Sequence, residues 1–167
     1  EAISNYLSTF NVSSKLGYFE YKKRLEPILD SEGNIATYET IIENIVFKED
    51  INGYISIVDE PFSEENNGVF TFKPYVIGAD TAGTGQDYFT AKVIDNTCGK
   101  CVATLRKQRI DDDLFAEQMY CLGKYYNDAL IGIEINYSRV PMRVLKQLGY
   151  SNLYISKKIG TLKDENE

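Results

Sequence analysis

Two acidic residues stand at the ends of short apolar runs, where carboxylates can do chemistry. Residues 75–79 are followed by Asp80, and residues 129–133 are followed by Glu134. Continuous runs of this kind are typical of strands buried in the centre of a sheet. Carboxylates held close together repel each other unless they are protonated or bridged by cations, and hard divalent ions prefer oxygen ligands. The pair therefore indicates a divalent metal site, with two ordinary strand ends at the surface as the alternative.

The composition narrows the chemistry that these residues can perform. The 167-residue chain has no histidine, which excludes Ser-His-Asp triads, Cys-His pairs and most zinc chemistry. Its net charge of −7 is unfavourable for a passive DNA-binding module, but it is compatible with an enzyme that uses metal ions and a local basic patch. Because there are three cysteines, no secretory signal and no apolar run near the ~18 residues of a membrane span, we expect a cytoplasmic protein that contacts no membrane.

The patterns around both acids predict an order of strands and helices. Strands are expected near 75–80, 87–95, 101–108, 129–135 and 152–156, and helices near 112–127 and 139–148. Four apolar residues form one stripe on the first helix, namely Phe115, Met119, Leu122 and Tyr126. The first three strands should form an antiparallel meander, and a right-handed crossover should place the fourth strand beside and parallel to the first. The expected fold class is α/β, with Asp80 and Glu134 at one edge of a mixed sheet that has helices on its faces.

The first 70 residues have weaker patterns. Residues 46–48 and 54–58 are predicted strands that flank Asn52-Gly53, a dipeptide typical of two-residue hairpin turns. Residues 59–71 contain acidic and turn-forming residues and indicate an exposed linker. We therefore expect a lead-in region with a β-hairpin at 1–70 and a core domain at 71–167.

The two acidic residues lie in segments that belong to a wider pattern. Residues 75–88 (YVIGADTAGTGQDY) and 131–136 (IGIEIN) contain them. Four further segments share the pattern, at 17–21, 52–55, 118–127 and 148–154. Together they resemble the lead-in and the C-terminal nuclease domain of phage terminase large subunits. The resemblance covers most of the chain, and the two acidic motifs are its most specific part.

This resemblance implies an RNase H-like fold and a metal-dependent endonuclease that cuts concatemeric DNA by a two-metal mechanism. By motif position Asp80 is the first catalytic metal ligand and Glu134 is the second, with Asp87 as a further ligand and Mg²⁺ or Mn²⁺ as the cofactor. The implied partners are double-stranded DNA, the terminase small subunit and the portal, in the cytoplasm of the bacterial host.

The chain departs from the family pattern in two respects. It has no Gly-x-x-x-x-Gly-Lys-Ser/Thr motif, so the ATPase motor is not part of it. The family also has a third acidic residue well downstream, and nothing in the tail up to Glu167 matches that motif. We therefore expect a core that is truncated at its C-terminus and an active site that is incomplete.

A basic helix face is the candidate for DNA contacts. Arg139, Arg143 and Lys146 have the spacing of one face on the second predicted helix. They predict contacts with DNA phosphates, and a solvated helix face is the alternative.

Two other classes of function stay open. The turn Gly83-Thr84-Gly85 after Asp80 could cradle a phosphate, as in the sugar-kinase and actin-like superfamily, which has the same strand order. The chain would then be half of a phosphotransferase domain. A non-catalytic docking module is the third hypothesis, and it would not need Asp80 or Glu134.

Overall fold

A seven-stranded mixed sheet organises the chain. The computed structural model describes residues 14–66, 68–82, 87–134 and 137–154. Its strands are β1 (Lys15–Leu29), β2 (Ile35–Glu49), β3 (Ile55–Ile57), β4 (Ser63–Asn66), β5 (Val69–Phe72), β6 (Tyr75–Asp80), β7 (Phe89–Asp95), β8 (Lys100–Lys107) and β9 (Leu130–Glu134). The helices of the described ranges are α1 (Asp112–Tyr125) and α2 (Val140–Gln147). The large sheet has the order β2-β1-β3-β8-β7-β6-β9, and β4 and β5 pair separately.

The predicted meander and crossover are confirmed. Strands β6, β7 and β8 pair in antiparallel fashion, and β9 lies beside β6 and parallel to it. Helix α1 connects β8 to β9, as a right-handed crossover requires. The expected α/β fold class is therefore correct. The strand predicted at 152–156 is reduced to a single parallel bridge between Leu153 and Ile131, and residues 155 and 156 lie outside the described part of the chain.

The core lies between one face of the sheet and α1. The predicted apolar stripe of α1 is buried completely, because each of its four residues is 0% exposed: Phe115, Met119, Leu122 and Tyr126. Its aromatic rings contact the sheet, with Phe115 against Phe89 and Tyr126 against Tyr75. Helix α2 packs on α1 in the same layer, where Tyr150, just after α2, meets Tyr120 edge to face. We call the sheet face under α1 the covered face and the opposite one the open face.

The prediction of a hairpin at Asn52-Gly53 is wrong. Strands β2 and β3 do not pair with each other, because β1 lies between them and pairs with both. The turn instead carries the chain across β1. Asp50 N–H donates to Leu16 O at 2.8 Å before the turn, and Tyr54 N–H donates to Gly17 O at 3.0 Å after it. A Cβ at Gly53 would lie 2.4 Å from the Cα of Gly17, so the small dipeptide serves this close crossing.

One hairpin of this region turns at residues 30–34, between β1 and β2. A second is formed by β4 and β5, in the segment that was expected to be a linker. Asp30 organises the turn, since its Oδ1 accepts from the N–H groups of Glu32 and Asn34, both at 2.9 Å. Gly33 has a φ of 86°, which glycine adopts without steric cost. The boundary near residue 70 between a lead-in and a core stays a prediction. Strands β1–β3 belong to the same sheet as β6–β9.

None of the helices in the described ranges is long and apolar enough to cross a membrane.

Candidate functional site

Asp80 and Glu134 end two neighbouring strands at the same level. They are register partners in the parallel pair β6–β9, so their backbones are about 4.8 Å apart. Both carboxylates are exposed. Along β6 the side chains of Ile77 and Ala79 are buried on the covered face, and alternation therefore places Asp80 on the open face. The predicted placement of the two acids side by side is confirmed, while metal ligation by them stays a prediction.

A buried threonine ties the two strand ends together. Thr81 follows Asp80 and is only 1% exposed. Its hydroxyl donates to the backbone carbonyl of Glu134 at 3.2 Å. Because this bond joins the residue after one acid to the backbone of the other, it holds the ends of β6 and β9 in register.

Two glycines form the floor beside the acidic pair. Gly78 and Gly132 are register partners two residues before Asp80 and Glu134, and therefore share the open face with them. A Cβ at Gly78 would meet nothing within 4 Å, and one at Gly132 would meet only Tyr154, at 3.7 Å. The bare backbone at Gly78 therefore leaves room for a large group to approach the sheet closely, while Tyr154 lies beside Gly132.

Asp87, the third predicted ligand, is exposed just before β7. It lies three residues ahead of Thr90, the register partner of Asp80, and thus at the same edge of the sheet. Residues 83–86, which include the candidate phosphate turn, lie outside the described ranges. Among the described residues, no three acidic or cysteine side chains come together as a metal-binding group.

The donor set of the pair suits a magnesium-like ion. Mg²⁺ is commonly held by one or two carboxylates, with water and substrate phosphates as its other ligands. Asp80 and Glu134 are two such carboxylates, and both reach solvent. The residues present therefore fit a hard divalent ion that shares its coordination with a phosphate.

The predicted basic face lies in the helical layer. Arg139, Arg143 and Lys146 are all exposed on or beside α2, so the predicted spacing is correct. Arg143 lines a groove that also contains Asp113 and Glu117 of α1. Lys23 lines the same groove and pairs with Glu117 at 2.5 Å. Because α2 packs on the covered side, the structure does not bring this face onto the open face with Asp80 and Glu134.

Two cations that the sequence analysis missed do share the open face with the acids. Lys92 is the register partner of Gly78, and Arg106 is the register partner of Thr90. Both side chains are exposed. Their positions within β7 and β8 resemble ordinary solvent-facing strand positions, and only the pairing of the strands relates them to Asp80.

An ion pair that involves a buried acid lies at the opposite edge of the sheet. Asp95 is buried at the end of β7, where Lys73 donates to it at 2.7 Å and Thr97 donates through both its hydroxyl and its N–H group. The bond from Lys73, followed by those from Thr97, holds the pKa of this carboxyl well below its ordinary value. Asp95 is the register partner of Tyr75, at the start of β6, so it is a structural acid and no part of the candidate site.

No protein-family model matches the chain, and no curated protein sequence is a significant match. Solved structures do match. One is the large terminase nuclease from thermophilic phage G20c with bound magnesium, at 19% identity and a TM-score of 0.49, over 63% of this chain and 51% of that chain. The zinc-bound form has 19% identity and a TM-score of 0.48, over 63% and 56%.

These structures come from the family that the sequence motifs resemble. The chain spans about half the length of the terminase nucleases that it matches.

Proposed function

We propose that this chain is the nuclease domain of a phage-type terminase large subunit, which cuts double-stranded DNA with the help of divalent metal ions. The observation that carries the proposal is the pairing of Asp80 with Glu134 at the carboxyl ends of adjacent parallel strands. Ligands bind at such strand ends in open α/β sheets. The motifs around both residues are those that resemble the terminase nuclease.

Asp80 and Glu134 would hold the metal. Two exposed carboxylates on strands whose backbones are about 4.8 Å apart are like charges at neighbouring positions, and a shared divalent cation would offset their repulsion. Mg²⁺ or Mn²⁺ bound there supplies activation of the attacking water and stabilisation of the leaving oxygen. The protein's own contribution is to keep both acids in register through the Thr81 bond and to leave the sheet open at Gly78 for the DNA backbone. Asp87 is the candidate for an additional ligand.

The wider role follows from the family resemblance. From this resemblance we propose cleavage of concatemeric DNA during packaging. The terminase small subunit and the portal would be its partners, in the cytoplasm of the bacterial host. This chemistry needs no histidine, in agreement with a sequence that has none.

Plasmid nicking by the full-length gene product tests the proposal. We expect nicking of supercoiled DNA that requires Mn²⁺ or Mg²⁺ and has little sequence preference. Asp80→Ala and Glu134→Ala should each abolish it. Glu64→Gln is the matched control, because Glu64 is an exposed acid on the separate hairpin β4–β5, and it should cut normally.

The competing functions predict different results. A phosphotransferase half would bind ATP through this domain and leave the plasmid intact under both metals. A docking module would keep its function in the Asp80→Ala protein. Either result would show that the nuclease assignment is wrong.

A further inference from the structure

Four residues form a row across the open face, one on each of four neighbouring strands. Asp80 on β6 is the register partner of Glu134 on β9 and of Thr90 on β7. Thr90 is in turn the register partner of Arg106 on β8. Directly paired residues point to the same face of a sheet. Arg106 is two strands from Asp80, so their backbones are about 10 Å apart at a spacing of about 4.8 Å per strand.

The guanidinium of Arg106 is held by an aromatic ring. Its central carbon lies 3.7 Å from the centroid of the Tyr88 ring. Stacking of this kind orients the planar guanidinium and leaves its N–H groups available for a phosphate. Arg106 is exposed, and no acidic residue of the described ranges forms an ion pair with it. The cation is thus oriented but not neutralised.

Further cations surround Arg106. Lys92, on the adjacent strand, projects from the same face beside Gly78, again without an ion pair to a described acid. At the end of β8 a shallow cleft of about 620 Å³ is lined by Tyr54, Tyr88, Arg106, Lys107 and Arg109. In a protein with a net charge of −7, cations that form no ion pair with a described acid thus lie on the same side of the sheet as the acidic pair.

We propose that Arg106, oriented by Tyr88, and Lys92 bind DNA phosphates. Asp80 and Glu134 would contact one strand of the duplex, and the two cations would bind the phosphates of the complementary strand. The inference rests on the proposed nuclease function and names its positioning residues. Since the protein as a whole repels DNA, local cations must supply the attraction. The α2 face is less suited to this role, because Arg143 shares its groove with two carboxylates and α2 belongs to the opposite layer.

Binding of a fluorescent DNA duplex, measured by anisotropy in EDTA at several salt concentrations, tests the proposal on the 167-residue chain. Arg106→Ala and Lys92→Ala should each weaken binding about tenfold at low salt. Each should also reduce the slope of log K against log salt by about 0.9, the value for one lost phosphate contact. Lys22→Ala removes an exposed cation of β1 and should change neither quantity.

Conservative variants separate positioning from charge. Tyr88→Phe keeps the ring and should bind like the wild type, whereas Tyr88→Ala should weaken binding with an unchanged melting temperature. Arg106→Lys keeps the charge but loses the planar fork, so it should retain the salt slope and part of the affinity.

The proposal is overturned if Arg106→Ala and Lys92→Ala bind the duplex like the wild type, or if only Arg143→Ala and Lys146→Ala weaken it. It is also overturned if the wild type does not bind the duplex at low salt. Failure of the nuclease assignment has a different signature: DNA binding would depend on Arg106 while the full-length product leaves the plasmid uncut with either metal.

Discussion

The side-chain amide of Gln118 makes both of its hydrogen bonds to the backbone of one residue, Phe19. Phe19 N–H donates to Gln118 Oε1 at 2.9 Å, and Gln118 Nε2 donates to Phe19 O at 2.8 Å. Strand β3 pairs with β1 only over residues 15–17, so it offers no partner at Phe19. The amide of a helix residue takes the place of the missing strand and attaches β1 to α1.

Gln118→Ala should lower the free energy of unfolding by about 2–6 kcal/mol, the cost of two backbone groups left without a partner. Gln118 is 2% and Phe19 is also 2% exposed, and each buried backbone group left without a partner costs about 1–3 kcal/mol. Urea denaturation measures the loss. Gln147→Ala, at an exposed position of α2, is the matched control and should stay within about 0.5 kcal/mol of the wild type. Equal stability of both variants would show that the Gln118 bonds contribute nothing.

Gly123→Ala should destabilise the protein by about 1–3 kcal/mol, the usual cost of overfilling a packed core. A Cβ at Gly123 would lie 2.3 Å from Tyr150 Oη. Tyr150 is 4% exposed, and its hydroxyl donates to Ala129 O at 2.6 Å. The ring therefore cannot move away without losing this bond and its packing. Gly78→Ala, where the added methyl meets nothing within 4 Å, is the control for thermal denaturation. A melting temperature for Gly123→Ala at or above that of the wild type contradicts the predicted clash.

Mn²⁺ should bind weakly to the wild-type chain and not to Asp80→Asn or Glu134→Gln. Weak binding is expected because the described ranges contribute two carboxylates and no group of three. Calorimetric titration or paramagnetic broadening of NMR signals measures the binding, with Glu64→Gln as the control of equal charge. Equal Mn²⁺ binding by the wild type and Asp80→Asn would show that the acidic pair is not the metal site.

The same Asp80→Asn substitution should not destabilise the metal-free protein. Like charges on directly opposite strand positions are unfavourable, so relief of the repulsion with Glu134 should leave the free energy of unfolding unchanged or raise it by about 0.5 kcal/mol. Urea denaturation in EDTA tests this point. Addition of Mn²⁺ should reverse the order, because the cation stabilises only a protein that binds it. A clear loss of stability in EDTA would mean that Asp80 has a structural role.

Low pH should destabilise the folded protein, in part through protonation of Asp95. Bonds from Lys73 and Thr97 lower the pKa of Asp95 in the folded state below its ordinary value of 3.8. The stabilisation from a lowered pKa is complete well above that value, and it decreases as the pH falls below about 4 towards the folded-state pKa. Thermal unfolding between pH 6 and pH 2.5 should therefore show a smaller decline for Asp95→Asn than for the wild type. Parallel pH profiles of the two proteins would contradict the prediction.

Local sequence patterns are sufficient to predict strands β6–β9 and helix α1. Strands β6–β9 and helix α1 are short elements whose apolar period and turn residues lie within a few residues of each other. The handedness of the crossover then predicts that Asp80 lies beside Glu134, and the pairing of β6 with β9 confirms it. Their identity as acids that close apolar strands is a property of sequence, and so is the absence of histidine that leaves metal chemistry open.

Pairing between distant segments was decided only by the tertiary structure. Asn52-Gly53 has the local signature of a hairpin, yet the crossing of β1 at Gly17 uses it differently. Arg106 and Lys92 gain their relation to Asp80 from strand register, which one sequence does not encode in any local period. Arg139, Arg143 and Lys146 are exposed on or beside a helix, as their spacing predicts, but the sequence made no prediction of the layer in which α2 packs. A local pattern reflects the conformational preference of a few residues, whereas a neighbour across the sheet depends on burial and hydrogen bonding summed over the whole core.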